Sequence, residues 1–148
     1  MKTKIPPPII AFSCIVLNYL STYLINPIKF PNTEIIGGLI FLVGLVTAML
    51  AIIVFKKNKT TVNPMNPEET TTLVTTGIFS LTRNPMYLGL FFVICSTILF
   101  FGSWSGIVIL IFFVWYINKF QIIPEEEEME KLFGKEYNEY RQNVRRWI

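Results

Sequence analysis

Three long stretches of this chain carry no charged side chain: Ile5–Ile28, Ile35–Phe55 and Asn84–Asn118. Few soluble folds tolerate that, because soluble chains run nearer a quarter charged and spread the charge along their length. A bilayer core of ~30 Å takes about 20 apolar residues as a helix, so each of the first two stretches fits one crossing. The third is 35 residues long and is interrupted by Phe101-Gly102-Ser103-Trp104-Ser105-Gly106. Glycine and serine suit a tight turn there, and Trp104 suits the headgroup interface. The pattern predicts a helical hairpin, Met86–Phe101 and Trp104–Asn118, with arms short enough to imply local thinning or a shallow hairpin.

The expected fold is therefore all-α: a polytopic membrane protein of about four transmembrane helices, the last two a hairpin, with a cytoplasmic amphipathic C-terminal helix. Residues 1–148 form a single integral membrane domain without internal repeats, and 1–55 supply the first two crossings. Lys2 and Lys4 precede the first apolar run in the manner of a signal peptide. Pro6-Pro7-Pro8 opens that run and no small-residue cleavage pattern follows, which favours a retained helix. Four crossings put Lys2, Lys4, Lys56, Lys57, Lys59, Arg83, Lys119 and the C-terminal basic residues on one side and only Lys29 on the other. By the positive-inside rule both termini are cytoplasmic, in an inner or plasma membrane.

Composition then narrows the chemistry. There is no histidine and no aspartate, which excludes a Ser-His-Asp triad, an HExxH zinc site and a histidine general base. The net charge of +3 comes without a basic stripe and gives no nucleic-acid footprint. Cys14 and Cys95 lie inside apolar runs, where they read as small buried hydrophobes and not as a disulfide.

The polar sequence falls into two blocks, each with a signature. The loop Lys56 to Arg83 leads into Leu73-Val-Thr-Thr-Gly-Ile-Phe-Ser-Leu-Thr-Arg-Asn-Pro-Met-Tyr-Leu-Gly89. Asn84 followed by Pro85 is a helix start: asparagine can cap free amides, and proline is pre-shaped for the first helical position. The positive end of that helix, beside Arg83, suits a carboxylate or phosphate. A plain cap with one snorkelling arginine is the blander alternative. The second block, Pro124 to Ile148, places Met129, Leu132, Phe133, Tyr137, Tyr140, Val144 and Trp147 at three- and four-residue spacing. Pro124 fits a helix start, and Glu125 to Glu128 fit its first turn. Four adjacent carboxylates also repel one another unless a cation sits among them: a sulfonium, an ammonium or, least in keeping with this residue set, a metal.

At these residues the chain resembles a known family. Arg83-Asn-Pro-Met-Tyr-Leu-Gly89 is similar to the Arg-His-Pro-x-Tyr-x-Gly motif of the isoprenylcysteine carboxyl methyltransferase and phospholipid methyltransferase superfamily. Glu125-Glu126, Leu132-Phe-Gly-Lys-Glu-Tyr-Asn-Glu-Tyr140 and Val144-Arg-Arg-Trp147 resemble its Glu-Glu, Phe-Gly-x-x-Tyr-x-x-Tyr and Val-Pro-Arg-Trp tail. Asn118-Lys-Phe-Gln-Ile-Ile-Pro124 is closer to the small bacterial members. The chain departs from the pattern at Asn84, where histidine is most familiar, at Ile78 for proline, and at Arg145 for proline.

The resemblance implies a methyltransferase-like core over 56–148 that uses S-adenosylmethionine at the cytoplasmic end of the hairpin. Carried over by position, Leu73, Val74, Gly77, Asn84, Pro85, Tyr87 and Gly89 would line one side of the cofactor. Glu125 and Glu126 would close the other, with Tyr137 and Tyr140 shaping the pocket or anchoring at the interface. Arg83, Glu126 and Arg141 take the catalytic roles, the arginines steering an anionic acceptor and Glu126 holding the cofactor's amino group or ribose hydroxyls. No metal is required. Methyl transfer from a sulfonium needs alignment more than acid–base help, so a chain without histidine can perform it. The expected partners are the lipid bilayer and a lipid-like or prenylated acceptor. An isoprenylcysteine carboxylate is favoured, and a phospholipid amine or a thiol stays open. An amine must lose a proton, for which glutamates 125 to 128 are the local bases. The competing readings are a small multidrug transporter, a non-catalytic membrane scaffold and an NADPH-dependent sterol-type reductase. The first lacks an ionisable group within its membrane runs, and the last wants more basic residues beside the loop.

Overall fold

The computed structural model describes residues 5–57 and 72–148. Lys2, Lys4, Lys59 and the middle of the Lys56–Arg83 loop, which entered the charge argument above, lie outside them. The described residues are helical, without a strand. Helix α1 spans Pro7–Ser21, α2 Thr33–Lys57, α3 Pro85–Phe101, α4 Gly106–Ile117 and α5 Ile123–Asn143. A short 3₁₀ turn, Gly77–Ser80, precedes α3, and a π-helical turn, Asn118–Ile122, joins α4 to α5.

Two helical runs are long and apolar enough to cross a bilayer: α2, with 25 residues, and the run Gly106–Asn143, with 38. Helices α1 and α3 are apolar but shorter. The outward faces confirm the solvent these helices are made for. Ile35, Leu39, Leu42, Val46, Met49 and Ile53 of α2 are all exposed, as are Phe12 and Leu17 of α1. In water each would forgo roughly 1.5–3 kcal/mol of burial; against acyl chains there is nothing to forgo. This is the surface of a membrane protein.

With no hydrophobic drive between helices in lipid, close packing has to hold them together. Helices α2 and α3 do this through small residues. A Cβ on Gly89 would lie 2.8 Å from the Gly44 carbonyl oxygen and 2.9 Å from the Ala48 Cβ, and one on Gly44 would lie 2.8 Å from the Gly89 carbonyl oxygen. A second interior joins α1, α3 and α4 around Ile10, Ala11, Cys14, Ile94, Phe113 and Ile117. Both cysteines are free thiols, Cys14 buried in that interior. Toward the hairpin turn the buried Asn18 donates from Nδ2 to the Thr97 hydroxyl at 3.0 Å, while its Oδ1 has no hydrogen-bond partner.

Three local expectations are corrected. The hairpin turns as expected at Gly102-Ser103, but its second arm starts at Gly106, because the Gly106 amide bonds the Ser103 carbonyl at 2.8 Å and keeps Trp104 and Ser105 in the turn. That arm is not short. The chain stays helical from Gly106 through the π turn to Phe133; Pro124 stands in the first turn of α5 as expected, but that helix runs on from α4 and is not free-standing. A proline inside a helix costs a hydrogen bond and crowds the preceding turn. The wider π turn immediately before it relieves that conflict. Finally, the C-terminal block is not one amphipathic helix. Gly134 adopts φ 49°, ψ −113°, which breaks α5 in the middle, and the helix ends at Asn143. Val144 is extended, so Val144 and Trp147 belong to a tail that turns back on the bundle.

Candidate functional site

The two signatures meet at the start of α3. Pro85 occupies the first turn of α3 as its sequence predicts. Asn84 stands at the cap position, but its side chain makes no capping bond. Instead its Nδ2 donates to the Arg146 carbonyl at 2.9 Å, while its own amide donates to the Thr82 hydroxyl at 3.2 Å. The capping role expected of the Asn84 side chain is thus replaced by a tie to the C-terminal tail. The free amides of the first turn are left for another acceptor.

Beside Asn84, Arg83 reaches the buried Glu126 of α5, Nη2 to Oε1 at 3.0 Å, and donates from Nη1 to the Tyr137 hydroxyl at 3.3 Å. Arg146 grips the same carboxylate with two bonds, Nε to Oε1 at 3.1 Å and Nη2 to Oε2 at 2.6 Å. The geometry is a bidentate fork of the kind guanidinium forms with carboxylate. Glu126 therefore has two arginines for its single charge, and the cluster carries a surplus of positive charge. Arg83 Nε is buried and has no acceptor.

Glu125, one residue earlier, has a different environment. Its carboxylate side accepts a very short hydrogen bond from the Tyr87 hydroxyl. Burial pushes Glu125 up to about 8; the Tyr87 bond opposes the rise and the neighbouring Glu126 charge adds to it. The repulsion expected among the glutamates is thus resolved locally. Glu126 is paired with two arginines, Glu125 holds its proton more tightly than an ordinary carboxyl, and Glu128 pairs at the surface with Lys131 at 2.7 Å. Burial, then the Glu126 charge, also pushes the Tyr137 hydroxyl up to about 12, despite Arg83 and Arg141. Among the described residues no cluster of three or more metal-ligating side chains forms.

The remaining residues singled out by sequence take other places. Val74 is buried with Ala51 and Phe79 in a small core between α2 and the 3₁₀ turn, and Leu73 is half-buried beside it. Gly77 opens that turn at φ 64°, a conformation that favours glycine. Gly89 faces α2 in the close seam described above. Tyr140 closes the same core from α5, its hydroxyl donating to the Phe79 carbonyl at 2.6 Å. Arg141 is exposed and pairs loosely with Glu130 at 3.9 Å; it is not one of the partners of Glu126, though its charge acts on Tyr137. The geometry thus brings Arg83, Asn84, Pro85, Glu126 and Tyr137 together, with Tyr87 and Glu125 adjoining. It places Leu73, Val74, Gly77, Gly89 and Tyr140 in the packing behind them.

Arg146 is the residue that sequence reasoning missed. The Val144–Trp147 motif was in view, but nothing local shows that the tail folds back. The signal lay in the charge balance: a buried glutamate needs a partner, and the tail holds the arginines.

Comparison with known proteins supplies the context. The family model for phospholipid methyltransferase matches residues 32–136. An uncharacterized protein of Haemophilus influenzae is 42% identical over 66 residues, 43% of this chain and all of that one. The protein-S-isoprenylcysteine O-methyltransferase of Saccharomyces cerevisiae is 30% identical over 110 residues, 74% of this chain and 46% of the yeast protein. A probable protein-S-isoprenylcysteine O-methyltransferase of Oryza sativa subsp. indica is 26% identical over 138 residues, 92% of this chain and 72% of that one. The match thus spans about half the length of the budding-yeast relative. No solved structure matches.

Proposed function

Because the chain belongs to the phospholipid methyltransferase family, we propose that it is an integral membrane methyltransferase that draws its methyl group from S-adenosylmethionine. We propose four crossings with both termini cytoplasmic, an arrangement supported by the charge distribution and by the four apolar helices. The observation that carries the reading is the convergence of Arg83, Glu126 and Asn84 at the start of α3.

The residues fit such a donor. Arg83 Nε is a buried, unused donor beside the free amides of the α3 first turn, and a carboxylate would satisfy both. Glu126 accepts two hydrogen bonds from Arg146 and pairs through Oε1 with Arg83, leaving capacity on Oε2 for an ammonium or a hydroxyl. When bound, S-adenosylmethionine supplies an activated methyl group on a sulfonium, transferred by in-line displacement. The chain's own work is to hold and align. Arg83 and the α3 amides hold the carboxylate end, Glu126 the cationic or hydroxylic end, and Tyr87 and Tyr137 exclude water. Leu73, Val74, Gly77, Pro85, Gly89 and Tyr140 fix the wall behind. Glu125 closes the α5 side, and Arg141, exposed at the surface, steers an anionic acceptor toward the site.

The acceptor is lipidic, because a site at the mouth of membrane helices is entered sideways by acyl or prenyl chains. The names of the relatives favour an isoprenylcysteine carboxylate, which arrives ionised and needs no base. The direct test is methyl transfer from labelled S-adenosylmethionine to a prenylcysteine analogue, to total lipid and to a small thiol. Labelling of the prenylcysteine carboxyl supports the reading in full, and labelling of lipid amine or thiol redirects the acceptor. No labelling of any class by folded protein that also fails to bind the donor overturns it.

A further inference from the structure

The tail after α5 is the least expected part of the site. Its backbone and side chains do two separate jobs there. The Arg145 carbonyl accepts the Arg83 amide at 3.0 Å, and the Arg146 carbonyl accepts both Asn84 Nδ2 at 2.9 Å and the Thr82 hydroxyl at 3.3 Å. The Trp147 indole donates to Asn118 Oδ1 in the π turn at 3.1 Å, and its ring lies 6.2 Å from that of Phe91. These contacts dock the tail on the start of α3 and on the π turn without using the Arg146 side chain. That side chain is thereby free for one task, the bidentate grip on Glu126.

We infer that Arg146 is a positioning residue for the methyl-donor site, holding the Glu126 carboxylate in one rotamer so that its remaining Oε2 capacity faces the donor. The inference rests on the proposed function above. The physical need is plain. Arg83 alone makes a single contact with Glu126, through Oε1, and a carboxylate held at one oxygen can still rotate about its final bond. Arg146 bonds both oxygens, which fixes the carboxylate plane. A carboxylate in the wrong plane binds a cationic ligand less well without changing the chemistry that follows. The effect belongs in the affinity for the donor and not in the chemical step.

The experiment uses the full chain in detergent or nanodiscs, with wild type, Arg146→Lys, Arg146→Gln and, as a charge control at an exposed site, Lys135→Gln. Binding of S-adenosylmethionine and of S-adenosylhomocysteine is measured by calorimetry, and donor KM and kcat with the acceptor found active. Arg146→Gln should weaken donor binding about 10- to 100-fold with kcat at saturation near wild type. Arg146→Lys, which restores the charge but not the fork, should fall between the two. Lys135→Gln should match wild type. If Arg146→Gln binds the donor as wild type does, or loses kcat at unchanged KM, the inference is overturned. So it is if Arg146→Gln and Arg146→Lys lose affinity equally. Should Arg146→Gln not fold, Arg146→Lys decides alone: a weakened KM at unchanged kcat supports the inference, and wild-type kinetics overturn it. Wild type binding neither ligand would instead be a failure of the methyltransferase reading itself.

Discussion

The α2–α3 seam and the Arg83–Glu126–Arg146 cluster are both close-packed, and both contain residues of the same signature, yet they are held by opposite physics. In the seam Gly44 and Gly89 let two backbones touch, and nothing there carries charge. In the cluster Arg83 and Glu126 are drawn out of water beside a partly exposed Arg146, and they stay stable because each is paired. A motif such as Arg83-Asn-Pro-Met-Tyr-Leu-Gly89 is therefore two devices in series. Its first residues serve the site, and its last glycine lets the helix that carries them sit against α2. One turn of helix separates the two roles.

That division can be broken from either side. The largest effect is expected from Glu126→Ala, which leaves two arginines facing each other without a carboxylate. It should cost about 3–5 kcal/mol of stability, read by thermal or denaturant unfolding in detergent. Gly89→Ala comes next. The added methyl meets the Gly44 carbonyl and Ala48, and overpacking of this kind costs about 1–3 kcal/mol. The protein that does fold should bind the methyl donor like wild type. Weak binding at full stability would instead place Gly89 in the site. Tyr140→Phe removes the bond to the Phe79 carbonyl and should cost about 1 kcal/mol, with donor affinity unchanged. Arg141→Gln should be within roughly 0.5 kcal/mol of wild type in stability, since its ion pair is exposed and long. Any effect should appear in acceptor KM.

A pH experiment sharpens the contrast between the two adjacent glutamates. The folded state holds the Glu125 proton up to about pH 8, whereas the unfolded chain releases it near 4.5. Between those values the folded state binds more protons than the unfolded one, so Glu125 makes stability fall as pH rises, with its contribution fully in place below about 4.5. Glu125→Gln should flatten that slope. A wild-type slope of opposite sign across this range that Glu125→Gln abolishes would contradict the assignment.

Much of this architecture is legible in the sequence, and the parts that are not share a cause. The three charge-free stretches mark the apolar helices, and Asn84-Pro85 marks the start of α3, because these depend on neighbours in the chain. The direction of the Asn84 side chain does not. Asparagine at a helix start ordinarily caps, and here a carbonyl 62 residues away outcompetes the helix's own amides. The π turn before Pro124 was hidden because a proline followed by four glutamates looks like the beginning of a helix. Gly134 left a visible trace, a glycine inside a helical pattern, but the apolar periodicity ran across it. For the site, the resemblance put Arg83 and Glu126 at one cofactor without implying that they pair with each other, while Arg146 required knowing that the tail folds back.

The central claim, that the Arg83–Glu126 cluster is where the methyl donor binds, is tested most directly by calorimetric titration of the purified protein. Wild type, Glu126→Gln and Asn84→Ala are each titrated with S-adenosylmethionine, S-adenosylhomocysteine and NADPH. The account predicts that folded wild type binds the first two ligands and not the third, and that Glu126→Gln weakens both by about tenfold or more. Asn84→Ala should give a smaller loss. Folded wild type that binds neither S-adenosyl compound, or a Glu126→Gln variant that binds them as tightly as wild type, would contradict it.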